Sequence, residues 1–448
     1  MTSLNSEHHI HLYGCIDAKD LWEIGKTKYK ENTERLNWYA DEYEKAYGKR
    51  PNWKDYWETD DGLKKLTHDF LFLDREPFPK FQAKFNLIIA LCKINPNDTS
   101  IVERVFLNLK NQGISYAEAR AILPPYIQGD DVPLYFTNIA KCLIKLEKEN
   151  PGFIPRMAIS LPRESPFTQQ VYQSLRKWMD ENPQLAHTFS AVDLAFYEEN
   201  DPPKNKKDFV NTVLNDNKNR KNKLAFLYHV GESFNTISAA SSARWVWEVA
   251  HMGATRMGHA ISLGIGVEEL KGRAVQEKLE ERLDHINWLL ENQGWLHDEG
   301  YQFSEENIKQ EKEEIEKNKN KLSAEEFSQK TTLIEYTEEY LADFQKLQTA
   351  LIQHIKKNTD TVIECCPTSN RRIGMIQNLK NHPLKRFADA GLNICLSTDD
   401  PGIFNIDLNH EVNLALNEIG LTPEQLETIS KQQTSQRSQQ LTQTLTVK

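Results

Sequence analysis

The sequence predicts an α/β protein, a (β/α)8 barrel of the TIM type with additional helices after strand one and a long helical insertion between strands six and seven. Three observations predict it. Short β-rich runs occur at 7–16, 114–122, 154–161, 188–196, 224–232, 255–261, 361–367 and 392–399, each ending in polar residues. Helical stretches separate them, which implies parallel pairing. Histidines and carboxylates gather where the runs end, and a parallel barrel carries its chemistry at the C-terminal strand ends. The chain has 448 residues, beyond the roughly 250 typical of that barrel, and two stretches supply most of the surplus.

The first strand carries His9-Ile10-His11. Residues two apart on a strand share a face, so the two imidazoles stand side by side while Ile10 and Leu12 meet apolar packing on the other side. That is half of a divalent-metal site, whose ligands must converge at about 2 Å. His8 points the other way and is expected to face solvent or to support the site from behind. With His9 in a first strand, only a few polar residues precede it, leaving no room for a signal peptide. The stretch 17–75 follows, rich in Trp, Tyr and charge, and forms the first part of the surplus.

Strand five ends in His229-Val230-Gly231-Glu232. Gly231 lets the chain turn sharply and swing Glu232 over the barrel mouth. His229 becomes a third metal ligand, and a pocket that raises the pKa of Glu232 lets it act as an acid near neutral pH. Strand six ends in Arg256-Met257-Gly258-His259 and brings a further imidazole to the rim. Strand eight ends in Ser397-Thr398-Asp399-Asp400-Pro401. Neighbouring carboxylates point to different sides, so one can bind a metal while the other reaches the substrate, and like charges this close require a cation.

Between strands six and seven, 262–358 is dense in Glu, Lys and Gln with spaced Leu, Ile and Phe, which reads as two or three long amphipathic helices. Its polar run 305–320 is expected as a solvated helix or hairpin tip, and the insertion offers a route to an oligomer. Residues 431–448 are expected as a last helix and a polar, frayed tail. The whole chain, 1–448, is read as one elaborated barrel domain.

Composition narrows the class. The 39% apolar content can bury a large core, and six cysteines without C-x-x-C spacing read as buried thiols of a reducing compartment. No apolar run approaches the roughly 20 residues of a membrane span. A net charge of −10 argues against a nucleic-acid surface and favours a small-molecule partner. A cytoplasmic protein is expected.

Taken together, these motifs resemble the adenosine deaminase family of metal-dependent purine deaminases. The resemblance lies in His9 to Gly14, His229 to Glu232, Arg256 to His259 and Ser397 to Phe404. Supporting matches are Phe81-Gln82-Ala83-Lys84-Phe85, Tyr116 to Arg120, Val192 to Ala195, Cys366 to Asn370, His382-Pro383-Leu384 and Gly420 to Glu424. It implies one zinc ion per chain held by His9, His11, His229 and Asp399, with His259 orienting or deprotonating a water that Asp399 steers. It further implies that Glu232 protonates purine N1, that Asp400 holds N7, and that an aminopurine nucleoside is converted to the oxopurine with loss of ammonia. Strand four has no lysine to bridge two metals, and the paired-cysteine pattern of other zinc deaminases is missing. Tyr13 stands where many members have Asp near the ribose, and Phe196 where the family has Gly beside purine N3. With Phe81 and Phe85, these are the expected substrate contacts. They admit adenine, an adenine nucleotide or an N6-modified adenosine as alternative substrates; a barrel retained as a non-catalytic binding protein is the lower-ranked alternative, since every expected ligand and the acid are present. A pair at Arg371-Arg372 could meet a phosphate, though a surface role at a helix start is the simpler reading.

Overall fold

The computed structural model describes residues 4–92, 95–124 and 126–437. Eight parallel strands form one sheet: β1 (Ser6–His11), β2 (Tyr116–Ile122), β3 (Ile154–Pro162), β4 (Phe189–Ala195), β5 (Ala225–Val230), β6 (Arg256–His259), then, beyond a two-stranded ribbon of β7 (Ala274–Lys278) and β8 (Thr331–Glu335), β9 (Val362–Cys365) and β10 (Asn393–Leu396). All eight expected runs are barrel strands, in the expected order. Each neighbouring pair from β1 to β10 is parallel, with β6 pairing directly to β9 across the insertion. Closure comes just past the end of β10, where His11 N–H donates to Asp399 O and Asp399 N–H to His9 O, both at 2.9 Å. The seam of the barrel is therefore made by three of the expected site residues.

Helices occupy the outer layer because their apolar faces bury against strands that are apolar on that side. Inside, the filling is polar where aliphatic layers are usual. Arg256 pairs with Glu118 and Glu364, and Arg120 with Glu364, all fully enclosed. Single charges in otherwise apolar strands, as in Val362-Ile363-Glu364-Cys365, mark this network. Burying them requires that each find a partner. His8 belongs to the same enclosed layer. Contrary to a solvent-facing reading it is buried, with Nε2 3.0 Å from Gln433 O and its ring against Tyr116. The closing helix, Pro423–Ser435, covers the open bottom of the barrel there, so the face opposite His9 meets protein and not water. The last eleven residues, including most of the expected tail, lie outside the described residues.

The surplus after β1 is helical: Ala18–Lys28, Thr33–Tyr47, Asp55–Glu58 and Gly62–Phe70. Its aromatics lock the helices to one another, with Trp22 Nε1–H donating to Tyr56 O and Trp57 Nε1–H to Trp22 O. The insertion holds three longer helices and more besides. It contains the antiparallel β7–β8 ribbon, four helices between those strands (Leu279–Glu291, Gln293–Asp298, Glu305–Lys319 and Ala324–Ser328), and the long helix Glu338–Asn358 that returns the chain to β9. The ribbon was hidden because its alternation is only five residues long and is written in Glu, Lys, Gln and Thr, which also suit a helix surface.

The polar run is the helix Glu305–Lys319. It docks through Ile315 onto Leu283, Ile286 and Phe327, a small cluster apart from the main core, and through Glu311 onto Arg282. Deleting 305–320 is therefore expected to leave the barrel folded. Calorimetry should still show a cooperative transition for the barrel, and its loss would place this helix in the main folding unit. Among the described residues no helix is long and apolar enough to cross a membrane, and all six cysteines are buried and free.

Candidate active site

Backbone conformation already sets the mouth of the barrel apart. Among the described residues, five other than glycine have positive φ, and four of them lie at the C-terminal ends of barrel strands or within three residues beyond: Phe196 (77°), His259 (71°), Ala260 (50°) and Asp399 (65°). Left-handed backbone at residues bearing a Cβ costs on the order of 1–3 kcal/mol each and persists where the surroundings over-determine it, most often at functional sites.

The imidazoles are held from behind. His9 Nδ1 lies 3.0 Å from Glu364 Oε2 on β9, and His229 Nδ1 lies 3.0 Å from Asp193 Oδ1 on β4. A carboxylate on one ring nitrogen fixes the proton there and leaves the lone pair on the other. Both Nε2 atoms are buried without a hydrogen-bonding partner, as is Asp399 Oδ1. That oxygen lies 3.1 Å from His11 Nε2 and 3.5 Å from His9 Nε2. The ligand atoms of His9, His11 and Asp399 all fall within 4.8 Å of one another, as do those of His9, His229 and His259 and those of His259, Cys366 and Asp399. Orphaned, converging nitrogen and oxygen acceptors are what a borderline divalent cation requires, so this donor set fits a zinc-like ion.

Protonation states fit a cation site at His9, His229 and Asp399, whereas His11, although burial lowers it, is raised to about 9 by its hydrogen bond to Asp399 and the charges of Asp400 and Asp399, so with no cation bound it pairs with that carboxylate. Burial pushes His9 well below its ordinary value and lowers His229, so both rings are neutral at neutral pH, the form a metal ion would require. Burial pushes Asp399 up, but the imidazoles of His11, His9 and His259 outweigh it and hold the carboxyl well below the usual range. Asp400 moves the other way, raised by burial and by the charge of Asp399. Burial, with the charge of Asp399, pushes Glu232 up to about 7. One Asp is thus kept as an anion for a cation while Glu232 keeps a proton to give.

His259 has a defined tautomer. Leu384 N–H donates to His382 Nδ1, so His382 carries its proton on Nε2 and donates it to Asn370 Oδ1 at 3.1 Å. The Asn370 amide then donates to His259 Nδ1 at 2.9 Å. His259 Nε2 consequently bears the proton and faces Glu232 Oε1 at 3.4 Å. Burial lowers His259 to about 4, so the ring is a neutral donor.

Glycines shape the rest. Gly231 has φ 69° and packs beneath Val246. A Cβ at Gly258 would sit 2.8 Å from His9 Cε1, and that ring cannot yield because Glu364 holds it. Gly258→Ala is therefore expected to lower metal affinity about 10- to 100-fold, the usual scale for disturbing the support of a ligand. A metal-competition titration measures it, and unchanged affinity would free His9 from the ligand set.

The structure brings His9, His11, His229, Glu232, His259, Asp399 and Asp400 together at one end of the barrel. Asp400 lies against Gly14, where a Cβ would overlap its Oδ1. Tyr13 is half-buried against the core, and Phe196 is 55% exposed at the mouth. Phe81 is buried in a ring cluster with Phe72, Phe78, Phe85 and Phe404, and Phe85 is half-buried at its edge. The Arg371-Arg372 pair is engaged elsewhere, Arg371 3.6 Å from Glu418 and Arg372 donating to Phe72 O and Phe404 O. Sequence reasoning did not assign Asp193, Glu364, Asn370 or His382 a role, although the first two are single charges in apolar strands. It also missed Glu198, which accepts the amides of Gly231, Glu232 and Ser233, each at 2.7 Å.

Comparison with known proteins finds partial sequence matches and a shared fold. The family model "Adenosine deaminase" matches residues 305–440, a span that holds Glu364, Asn370, Asp399 and Asp400. The adenosine deaminase of Aliivibrio fischeri (strain ATCC 700601 / ES114) is 43% identical over 79 residues, 18% of this chain and 23% of that protein. The aligned stretch thus spans about a quarter of the curated relative's length. Among solved structures, the N6-mAMP deaminase of Arabidopsis superposes with a TM-score of 0.53 at 16% identity, covering 96% of this chain and 92% of that one. An amidohydrolase from Burkholderia ambifaria with bound Zn superposes with a TM-score of 0.52 at 11% identity, covering 96% and 85%. At these identities the superpositions speak for a shared fold.

Proposed function

We propose, on the premise that this chain is a relative of the adenosine deaminases, that it is a zinc-dependent hydrolytic deaminase. It would convert a 6-aminopurine nucleoside, adenosine or deoxyadenosine, to the 6-oxopurine (inosine or deoxyinosine) with release of ammonia. One observation carries the reading. Two buried imidazole nitrogens without partners, His9 Nε2 and His229 Nε2, converge with Asp399 Oδ1, which His11 also faces, beside an acid, Glu232, whose carboxyl is raised to about 7.

His9, His11, His229 and Asp399 would hold one ion per chain. Zinc there supplies Lewis-acid chemistry, bringing the pKa of a water towards 7. Glu232, protonated near neutral pH, donates to ring N1, so electron density is drawn from C6 as the nucleophilic oxygen arrives. His259, with its proton on Nε2, donates a hydrogen bond that orients that oxygen; in this tautomer it steers and does not abstract a proton. Asp400, kept protonated by burial and by Asp399, donates to N7. The proton given by Glu232 stays on N1 as the N1–H of the oxopurine; of the two protons the water loses, one goes to the amine, which leaves as ammonia when the C6–N bond breaks, and the other returns Glu232 to its acid form.

A second reading keeps the chemistry and changes the substrate to adenine, an adenine nucleotide or an N6-modified adenosine. The observation favouring it is Phe196, an exposed benzyl group in left-handed backbone where the family carries Gly, together with the likeness to an N6-mAMP deaminase. Against a nucleotide, Arg372 is committed to the carbonyls of Phe72 and Phe404, and Arg371 lies at the surface 3.6 Å from Glu418. The test is amine release from adenosine, deoxyadenosine, adenine, AMP and N6-methyl-adenosine by the zinc-loaded protein, with Glu232→Gln as blank. Turnover of one member, abolished in the blank, establishes class and substrate. Silence across the panel with metal bound would overturn the nucleoside reading.

A further inference from the structure

We infer that the ribbon of the insertion braces the turn carrying Glu232, with Glu277 on β7 as a positioning residue. This deepens the deaminase reading and rests on it. Eight of the ten backbone amides from 231 to 240, all but those of Phe234 and Ile237, are taken up by side chains from elsewhere. Glu198 accepts those of Gly231, Glu232 and Ser233, and Glu199 those of Asn235 (2.9 Å) and Thr236 (2.6 Å). From there the acceptors belong to the insertion. Glu277 Oε1 accepts Ser238 N–H at 2.7 Å, Tyr336 Oη accepts Ala239 N–H at 3.1 Å, and Tyr340 Oη accepts Ala240 N–H at 3.3 Å.

These last amides open the helix Ala239–His251, whose first turn has no partners of its own. That helix already has an ordinary cap, since Ser238 Oγ accepts Ser241 N–H at 3.1 Å. Glu277 is therefore more than a cap. It is fully buried, and its Oε2 has no hydrogen-bonding partner. Enclosing a half-satisfied carboxylate is costly, and β7–β8 pairing does not need it. The positive end of the helix offsets part of that cost and ties the ribbon to the helix start.

The helix passes the constraint on. Val246 packs on Gly231, where a Cβ would come within 2.5 Å of its Cγ2, and further along Trp245 Nε1–H donates to Glu281 of the insertion at 3.0 Å. A helix start free to shift would carry Gly231, and with it Glu232, away from His259.

The test uses full-length, zinc-loaded protein with the purine that the panel identifies. Glu277→Ala is expected to lower kcat about 10-fold or more, since sub-ångström misplacement of an acid is costly, with KM and zinc content unchanged. Glu277→Gln keeps the acceptor and should restore kcat. Amide hydrogen exchange of the peptide 231–240 should quicken in the Ala variant and not in the Gln variant, and this readout needs no substrate. Wild-type kcat and exchange in Glu277→Ala, or equal loss in the Gln variant, would overturn the brace. If Glu277→Ala does not fold, Tyr336→Phe, which removes one acceptor only, is read by the same exchange and the same kcat against KM split. Failure of the deaminase reading would look different, with turnover absent in wild type or retained in Glu232→Gln whatever Glu277 does.

Discussion

Glu232→Gln is expected to load metal as the wild type does and to lose about 10²- to 10⁴-fold in kcat, the usual worth of a positioned general acid. The substitution keeps the volume of the side chain and a neighbour for His259 Nε2–H, and removes only the proton offered to N1. None of the metal-facing atoms belongs to it. The wild-type profile carries the same signature. Burial and the charge of Asp399 raise Glu232 to about 7, and it is the protonated form that works, so kcat is expected to be full below that pH and to fall as pH rises through it. The Gln variant should lack this limb. Near-normal turnover in the variant, or a profile unchanged by it, would remove Glu232 from the mechanism.

Asp399→Ala is expected to lose metal and activity together. Its Oδ1 is the one anionic donor of the set, within 3.5 Å of both His9 Nε2 and His11 Nε2. Without it a dication would rest on neutral imidazoles alone. Unlike Gly258→Ala, which disturbs a ligand from behind, this change removes a ligand, and about a thousand-fold loss of turnover or more follows if the reaction passes through the ion. Elemental analysis after dialysis decides it, and full occupancy would contradict the ligand assignment. Because Asp399 also closes the barrel through its backbone, which alanine retains, the fold should survive. Circular dichroism separates loss of metal from loss of structure.

Much of the barrel was legible because strand runs, their spacing and their polar ends are local properties. His9 and His11 lie two apart, and Gly231 beside Glu232 announces a turn; neither needs a neighbour to be read. His8 illustrates the limit. Alternation correctly turned it away from His9, but only the helix Pro423–Ser435, over 400 residues along the chain, makes that other side an interior. The ribbon illustrates another limit, since two five-residue segments, Ala274–Lys278 and Thr331–Glu335, mixing Glu, Lys, Gln and Thr with a few apolar residues, do not tell strand from helix until they pair.

By itself the sequence determined the order of the eight strands, the residues at their C-terminal ends and the chemical types that gather there, because period and turn chemistry are written in neighbouring residues. The tertiary structure alone decided which nitrogen of each imidazole is free, that Asp193 and Glu364 stand behind the ligands, that Asn370 and His382 give His259 its tautomer, and that the insertion grips the acid-bearing turn. Those are contacts between residues tens to hundreds of positions apart. Their hydrogen bonds and shifted protonation states arise only when the barrel closes and water is excluded from between them.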